Sequence, residues 1–348
     1  MATRARQIVI CERSAGQARA LARFLERDSD IDVIAVCGDS SELLKRLDEL
    51  EPDLVALDLE TIGVGAASTI EQIMRARPVP ILILGGREGE DSERVAEALA
   101  AGALEALPRE KLCLDEPEGI WATALRSRVK RLASLQLKRR DAKKHGASTP
   151  PRAWRKPGTV YRAIGIGASV GGPPALAAVL GGLPRDFPLP VLVVQHMAAG
   201  FGEGLAKWLD ENTSISVRLA VDGAPLQAGV WIAPDDAHLR LEPSMRLSLD
   251  RKTRQGAHRP SLDVLFESLA SSAGEGAVGV VLTGMGRDGA KGILELREAG
   301  GLTIAQDEES SAVFGMPGAA IEVGVDLVLP LEELAPKLTT LRAQSVAR

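Results

Sequence analysis

The stretch AIGIGASVGGPP, Ala163 to Pro174, is a continuous apolar run that ends in a glycine-rich turn, followed by two prolines suited to a helix's first turn. Strand, sharp turn and helix in that order open a parallel α/β unit. Ser169 stands in the turn, and Gly167-Ala168-Ser169-Val170-Gly171 matches G-x-S-x-G, the elbow that exposes a nucleophilic serine. The same residues approach the dinucleotide cradle G-x-G-x-x-G, with Val170 where the last glycine belongs. A dinucleotide site also needs an acid after the second strand, ~20 residues on, to grip a ribose. Here that strand reads VLVVQHM and ends at His196. Taken alone, the loop supports both readings.

Outward from this unit the alternation continues. Val160–Gly167, Pro190–Gln195, Ala277–Thr283, Leu302–Ala305 and Asp326–Leu329 read as buried strands. Ala175–Leu180, Arg287–Glu298 and Leu331–Leu341 read as helices, and Gly229–Asp250 as extended pieces that include a hairpin. The first 130 or so residues repeat the scheme, with apolar runs at Gln7–Cys11, Ile31–Cys37, Leu54–Leu57, Pro80–Leu84 and Leu104–Leu107. Ala15–Arg27 reads as a helix, with Ala18, Leu21, Phe24 and Leu25 on one face. Between the halves, KRRDAKKHGASTPPRAWRKPG (138–158) carries charge and adjacent prolines but no apolar period, as a linker does. The expected fold is α/β: two doubly wound parallel-sheet domains, 1–137 and 159–348, joined by that linker.

Bulk composition agrees with two domains, because 348 residues exceed one ordinary core. Only 3% of residues are aromatic and the net charge is −5, which speaks against a nucleic-acid-binding protein. A basic run from Arg126 to Arg155 reads as a solvated joint. Cys11, Cys37 and Cys113 are odd in number and lack CxxC spacing, so they read as buried thiols in a reducing compartment. No signal peptide and no apolar run near the ~20 residues of a membrane span is legible. The expectation is a cytoplasmic protein without membrane insertion.

In open parallel sheets, sites form beyond the carboxyl ends of strands. Ser169 and His196 follow consecutive strands, and a serine hydroxyl needs a base to act as a nucleophile. AVGVVLTGMGRDGAKG places Asp288 beyond a third strand, where it suits orienting an imidazole. An aspartate before a helix is equally an N-cap. Gly284, Gly286 and Gly289 around it offer backbone N–H groups of the kind that hold an oxyanion. Two competitors stand beside this trio. One is a phosphate-binding regulatory module using the Ser169 loop. The other is a conventional α/β-hydrolase built on Ser169 and His258 with Asp222, Asp235 or Asp236, in which losing His196 would be harmless. His238 reads as structural or peripheral, and His145 falls in the linker.

The motifs GASVGG (Gly167–Gly172), VVQHM (Val193–Met197), HRPSLDVLF (His258–Phe266), LTGMGRDGAKG (Leu282–Gly292) and AQDEESSAVFGMPGAAI (Ala305–Ile321) together resemble the chemotaxis protein-glutamate methylesterase family. The resemblance spans the whole second half. It implies hydrolysis of glutamate γ-methyl esters, and deamidation of glutamine, on the cytoplasmic part of a methylated chemoreceptor. It implies Ser169 as nucleophile, His196 as base, Asp288 as orienting acid, and Met285 with Gly284 at the oxyanion hole and site wall. No cofactor is implied for this chemistry. His258 then orders a loop or touches substrate.

The first half resembles a response-regulator receiver, which implies a sensor histidine kinase as partner and Asp58 as phosphoacceptor. Several positions depart from that pattern. Cys11-Glu12 replaces the acid pair, leaving Glu12 and Asp58 as the only carboxylates for magnesium, an ion that demands oxygen ligands. Gly85 and Gly86 stand where a hydroxyl is expected, and Arg109 stands near the lysine position. The expectation is a degenerate receiver with weak or absent phosphorylation and doubtful magnesium binding.

Overall fold

A computed structural model describes residues 4–86, 91–108, 120–135, 137, 159–253 and 258–341. The linker 138–158 with His145, and also Cys113 and Arg109, lie outside the described residues. The chain divides into two compact units, Met1–Asp141 and Ala142–Arg348, with the division inside the charged segment.

The first unit carries strands β1 (Arg6–Cys11), β2 (Ile31–Cys37), β3 (Leu54–Asp58), β4 (Ile81–Leu84) and β5 (Glu105–Leu107). All pairings are parallel, in the order β2-β1-β3-β4-β5. That is the flavodoxin-type doubly wound order. The intervening helices are α1 (Ala15–Leu25), α2 (Ser40–Glu49), α3 (Leu59–Ile62), α4 (Ala66–Ala76), α5 (Ser92–Ala100) and α6 (Ile120–Ala133). In α1 the buried residues are Ala18, Leu21, Phe24 and Leu25, the face its spacing predicts, and Ser14 caps it by accepting the Gln17 N–H.

The second unit holds a seven-stranded, all-parallel sheet in the order β14-β13-β12-β6-β7-β9-β8. Its strands are β6 (Ala163–Ala168), β7 (Pro190–Gln195), β8 (Val217–Leu219), β9 (Gly229–Ile232), β12 (Ala277–Val281), β13 (Leu302–Gln306) and β14 (Leu327–Leu329). β10 (His238–Leu241) and β11 (Leu247–Asp250) form a separate antiparallel hairpin. The helices are α7 (Gly172–Gly181), α8 (Gly202–Asn212), α9 (Leu262–Ala273), α10 (Ala290–Glu298), α11 (Gly315–Val323) and α12 (Leu331–Thr339). Every residue of β6, β7 and β12 is buried, as befits central parallel strands covered on both faces.

The stretch Gly229–Asp250 is only partly a hairpin. Its first piece, β9, joins the parallel sheet beside β7, and only β10 and β11 pair antiparallel. α10 starts at Ala290, later than the expected Arg287, because Gly289 ahead of it takes a left-handed φ of 93°. Among the described residues, no helix is long and apolar enough to cross a membrane.

The sheet order fixes where a site can form. β6 hands on to β7 on one side, and the chain returns later to lay β12 against its other side. The crevice at such a reversal of winding lies beyond the carboxyl end of β6. Ser169 is the first residue past that end.

Candidate active site

Three neighbouring strands deliver the three polar residues. Ser169 follows β6 and its N–H donates to the Thr283 carbonyl beyond β12 (3.0 Å), so the serine loop is tied to the next strand. His196 follows β7, and its N–H donates to the Ala168 carbonyl (2.9 Å). Asp288 lies in the loop between β12 and α10. Nε2 of His196 is 2.9 Å from Oδ2 of Asp288, with both side chains largely buried. The approach is off the straight N–H···O line, and His196 Nδ1 is buried without a partner among the described residues. One imidazole nitrogen therefore meets a carboxylate while the other is not hydrogen-bonded among the described residues.

Asp288 does cap a helix, but not the one that follows it. The N-terminal position of α10 is held by Gly289. The Asp288 carboxylate instead accepts the Ser261 hydroxyl (2.8 Å), the Leu262 N–H (2.8 Å) and the Asp263 N–H (3.3 Å) at the start of α9. Burial works to raise its carboxyl, but the contact with His196 and the bonds from Leu262 and Ser261 outweigh it. The net result is a carboxyl held well below the ordinary range. The group is thus both oriented and ionised, and an ionised group can stabilise an imidazolium beside it.

The glycines of β6 have a packing reason. A Cβ on Gly165 would come within 2.5 Å of Leu269, and one on Gly167 within 1.8 Å of Leu262. Both would strike α9, so these residues admit a helix against β6. Gly171 takes φ 73° to turn the chain into α7. Thr283, which sequence reasoning passed over, braces the turn from behind. Its hydroxyl lies 3.0 Å from the Val170 carbonyl and accepts the Val313 N–H (2.9 Å), and its own N–H donates to Gln306 (2.8 Å). A threonine closing the apolar run AVGVVLT was the one available signal.

Gly284 and Met285 fall on the β12 side of the serine. The Gly284 N–H is donated to the Val313 carbonyl (3.0 Å), so it is committed and cannot serve an oxyanion. Gly284 acts as wall: a Cβ there would stand 2.8 Å from Ser169 Cβ. Met285, half-buried, is the next residue along.

His258 stacks on His196, with ring centroids 4.3 Å apart and planes 18° from parallel. The carboxylates considered as its partners have other commitments. Asp222 accepts the Leu249 N–H, Asp235 accepts the Gly200 N–H, and Asp236 pairs with Arg259. His238 is buried in β10, where its Nε2 lies 3.1 Å from the Thr253 carbonyl.

The CheB methylesterase family pattern matches residues 164–338. A protein-glutamate methylesterase/protein-glutamine glutaminase of Nitrosospira multiformis is 38% identical over 92% of both chains. One from Anaeromyxobacter dehalogenans is 42% identical, again over 92% of each. This chain belongs to the CheB methylesterase family. The CheB methylesterase catalytic domain of Thermotoga maritima is a structural match, with TM-score 0.50 and 38% identity, covering 52% of this chain and 99% of that one. The CheB-family relatives match over nearly their whole length, so their likeness includes the first unit as well.

In that first unit Asp58 ends β3 and is buried. Its Oδ2 accepts both the N–H (2.8 Å) and the hydroxyl (2.9 Å) of Thr61, capping α3. Glu12 Oε1 accepts the Ser14 N–H (2.8 Å). Burial first, then the neighbouring Cys37 and acids, push the Cys11 thiol up to about 12, so it stays protonated. A protonated thiol offers magnesium no oxygen ligand, so the oxygen donors at this end of β1 and β3 are the carboxylates of Glu12 and Asp58. Among the described residues no group of three or more His, Cys, Asp or Glu is placed to hold a metal.

Proposed function

We propose that the chain hydrolyses glutamate γ-methyl esters, and deamidates glutamine, on the cytoplasmic part of a methylated chemoreceptor. Ser169 Oγ attacks the side-chain carbonyl carbon while His196 takes its proton. His196 then returns that proton to the leaving methoxide, or to the leaving amide nitrogen, releasing methanol or ammonia. Water, deprotonated by His196, opens the acyl-enzyme to give glutamate and free serine. Asp288 orients the imidazole and stabilises its charged form, and the Met285 N–H holds the oxyanion. A positioned base supplies about 10²–10⁴-fold of rate, and one oxyanion donor about 10²–10³-fold.

The observation that carries this reading is the 2.9 Å contact between His196 and Asp288 next to a serine at the winding reversal. The substrate side chain is polar and small, and neither step calls on a bound cofactor. We place the reaction in the cytoplasm, with the first unit acting as a receiver-like regulatory module whose control by phosphorylation is weak.

Methanol release from a methylated receptor cytoplasmic fragment tests the reading. Wild-type release that vanishes in Ser169→Ala supports it. Release that persists in Ser169→Ala, or that is absent in the wild type on every receptor tried, overturns it.

A further inference from the structure

Gln195, the last residue of β7, is 5% exposed and touches both halves of the Ser169–His196 pair. Its Nε2 donates to the carbonyl of Ser169 and to the carbonyl of His196, each at 2.8 Å. An amide NH2 has two hydrogens, so both are spent on these two carbonyls. The flipped amide would set an oxygen against two oxygens, so the partners fix the orientation. Oε1 is then driven into the first turn of α7, where it has no partner among the described residues. A Cβ on Gly172 would sit 2.0 Å from it, and Pro173 and Pro174, next in line, have no N–H to offer. A leucine of similar size would spare the protein this orphaned acceptor, so a role confined to filling space does not account for the amide.

Register shows what the amide adds. Ala168 and Gln195 are the last paired residues of β6 and β7, and the His196 N–H to the Ala168 carbonyl is the final rung. Past that rung the two segments diverge into separate loops, and the Gln195 side chain spans them.

We propose that Gln195 is a positioning residue: one buried nitrogen ties the main chain of the nucleophile to that of the base and sets the reach between their side chains. This rests on Ser169 and His196 holding those roles. It requires no contact between Gln195 and substrate, so the loss on removing it belongs in kcat and not in KM.

The test uses full-length Gln195→Leu and Gln195→Glu. A fluorophosphonate that labels Ser169 counts competent sites and times the labelling, and methanol release is expressed per labelled site. Misplacement by a fraction of an ångström predicts a kcat per site lowered about 10- to 100-fold, KM within about twofold, and labelling slowed in step with kcat. Gln195→Glu adds a pH signature. A protonated acid donates one bond and an ionised one none, so its rate relative to wild type falls as pH rises. That arm stands even if Gln195→Leu fails to fold. A kcat per site within about twofold of wild type in the folded variants, with only the melting temperature lowered, overturns the proposal. Wild-type labelling at Ser169 without methanol release counts against the ester substrate and leaves the Gln195 comparison readable through labelling rates.

Discussion

The imidazole of His258 lies against that of His196, centroids 4.3 Å apart and planes 18° from parallel. One histidine is nearly buried in contact with Asp288, and the other is exposed at the rim. The stacked ring restricts the plane in which His196 can turn and leaves the Nε2 contact with Asp288 in place. His258→Ala is expected to lower kcat/KM by about 3- to 10-fold, the worth of an aromatic contact, and His258→Phe to restore most of it. His196→Ala should abolish turnover. Methanol-release kinetics on the three variants decide whether His258 supports the base or replaces it.

Asp288→Asn keeps an acceptor for the start of α9 but loses the charge beside His196. A loss of about 10³–10⁴-fold in kcat is expected, with the fold intact by circular dichroism. The pH dependence of stability follows from the same group. Its folded carboxyl is held below the ordinary range, so its contribution is fully present above the unfolded value of about 4 and disappears as acid protonates the folded form. Urea unfolding between neutral and acid pH should show a shallower decline in Asp288→Asn than in wild type.

Gly167→Ala sets a methyl group where Leu262 already stands. Forcing α9 off β6 is expected to cost about 1–3 kcal/mol and also to lower activity, because the start of α9 holds Asp288 in place. Leu262→Ala in the same chain should recover part of both losses, and a double-mutant cycle on melting temperature and methanol release measures the coupling.

Cys11 and Cys37 are partners across β1 and β2, fully buried, with thiols pushed up to about 12 and about 11, by burial above all. Raised thiols favour the folded state fully below the unfolded value of about 8.5, and that support is lost as pH climbs through the folded values. In Cys113→Ser, both remaining thiols should resist alkylation at neutral pH and react promptly in denaturant. Mass spectrometry of the alkylated chain would expose prompt labelling in the folded protein, which contradicts this.

Asp58 is occupied as the cap of α3, and its neighbour Cys11 is no substitute for an acid. Methanol release should be the same with and without a small phosphodonor and magnesium, and unchanged by Asp58→Asn. Cys11→Asp should raise phosphate incorporation at Asp58. Incorporation in the unmodified chain at the rate of an ordinary receiver would falsify the reading of this unit as degenerate.

Much of this architecture is visible in the residue pattern because parallel strands are continuous apolar runs. β2, β7 and α1's buried face fall where the pattern puts them. α9 escaped notice for a physical reason. Leu262, Val264, Leu265, Phe266, Ser268 and Leu269 are all buried, so the helix is wrapped on most sides and its period is blurred. β8 is three residues long, too short to carry a pattern. At the site, residue types and strand ends pointed to Ser169, His196 and Asp288. The second use of Asp288, as cap to α9, joins segments far apart in the chain and leaves no local trace. Gln195 reads as the polar end of an apolar run, and nothing nearby in sequence reveals that two carbonyls will converge on it.

β6, β7 and β12 lie side by side in space, yet the chain reaches β12 only after the hairpin and α9 have been made. A growing polypeptide therefore exposes the serine and the histidine well before the aspartate exists. The serine and the histidine gain their aspartate only once the late strand β12 lies against β6.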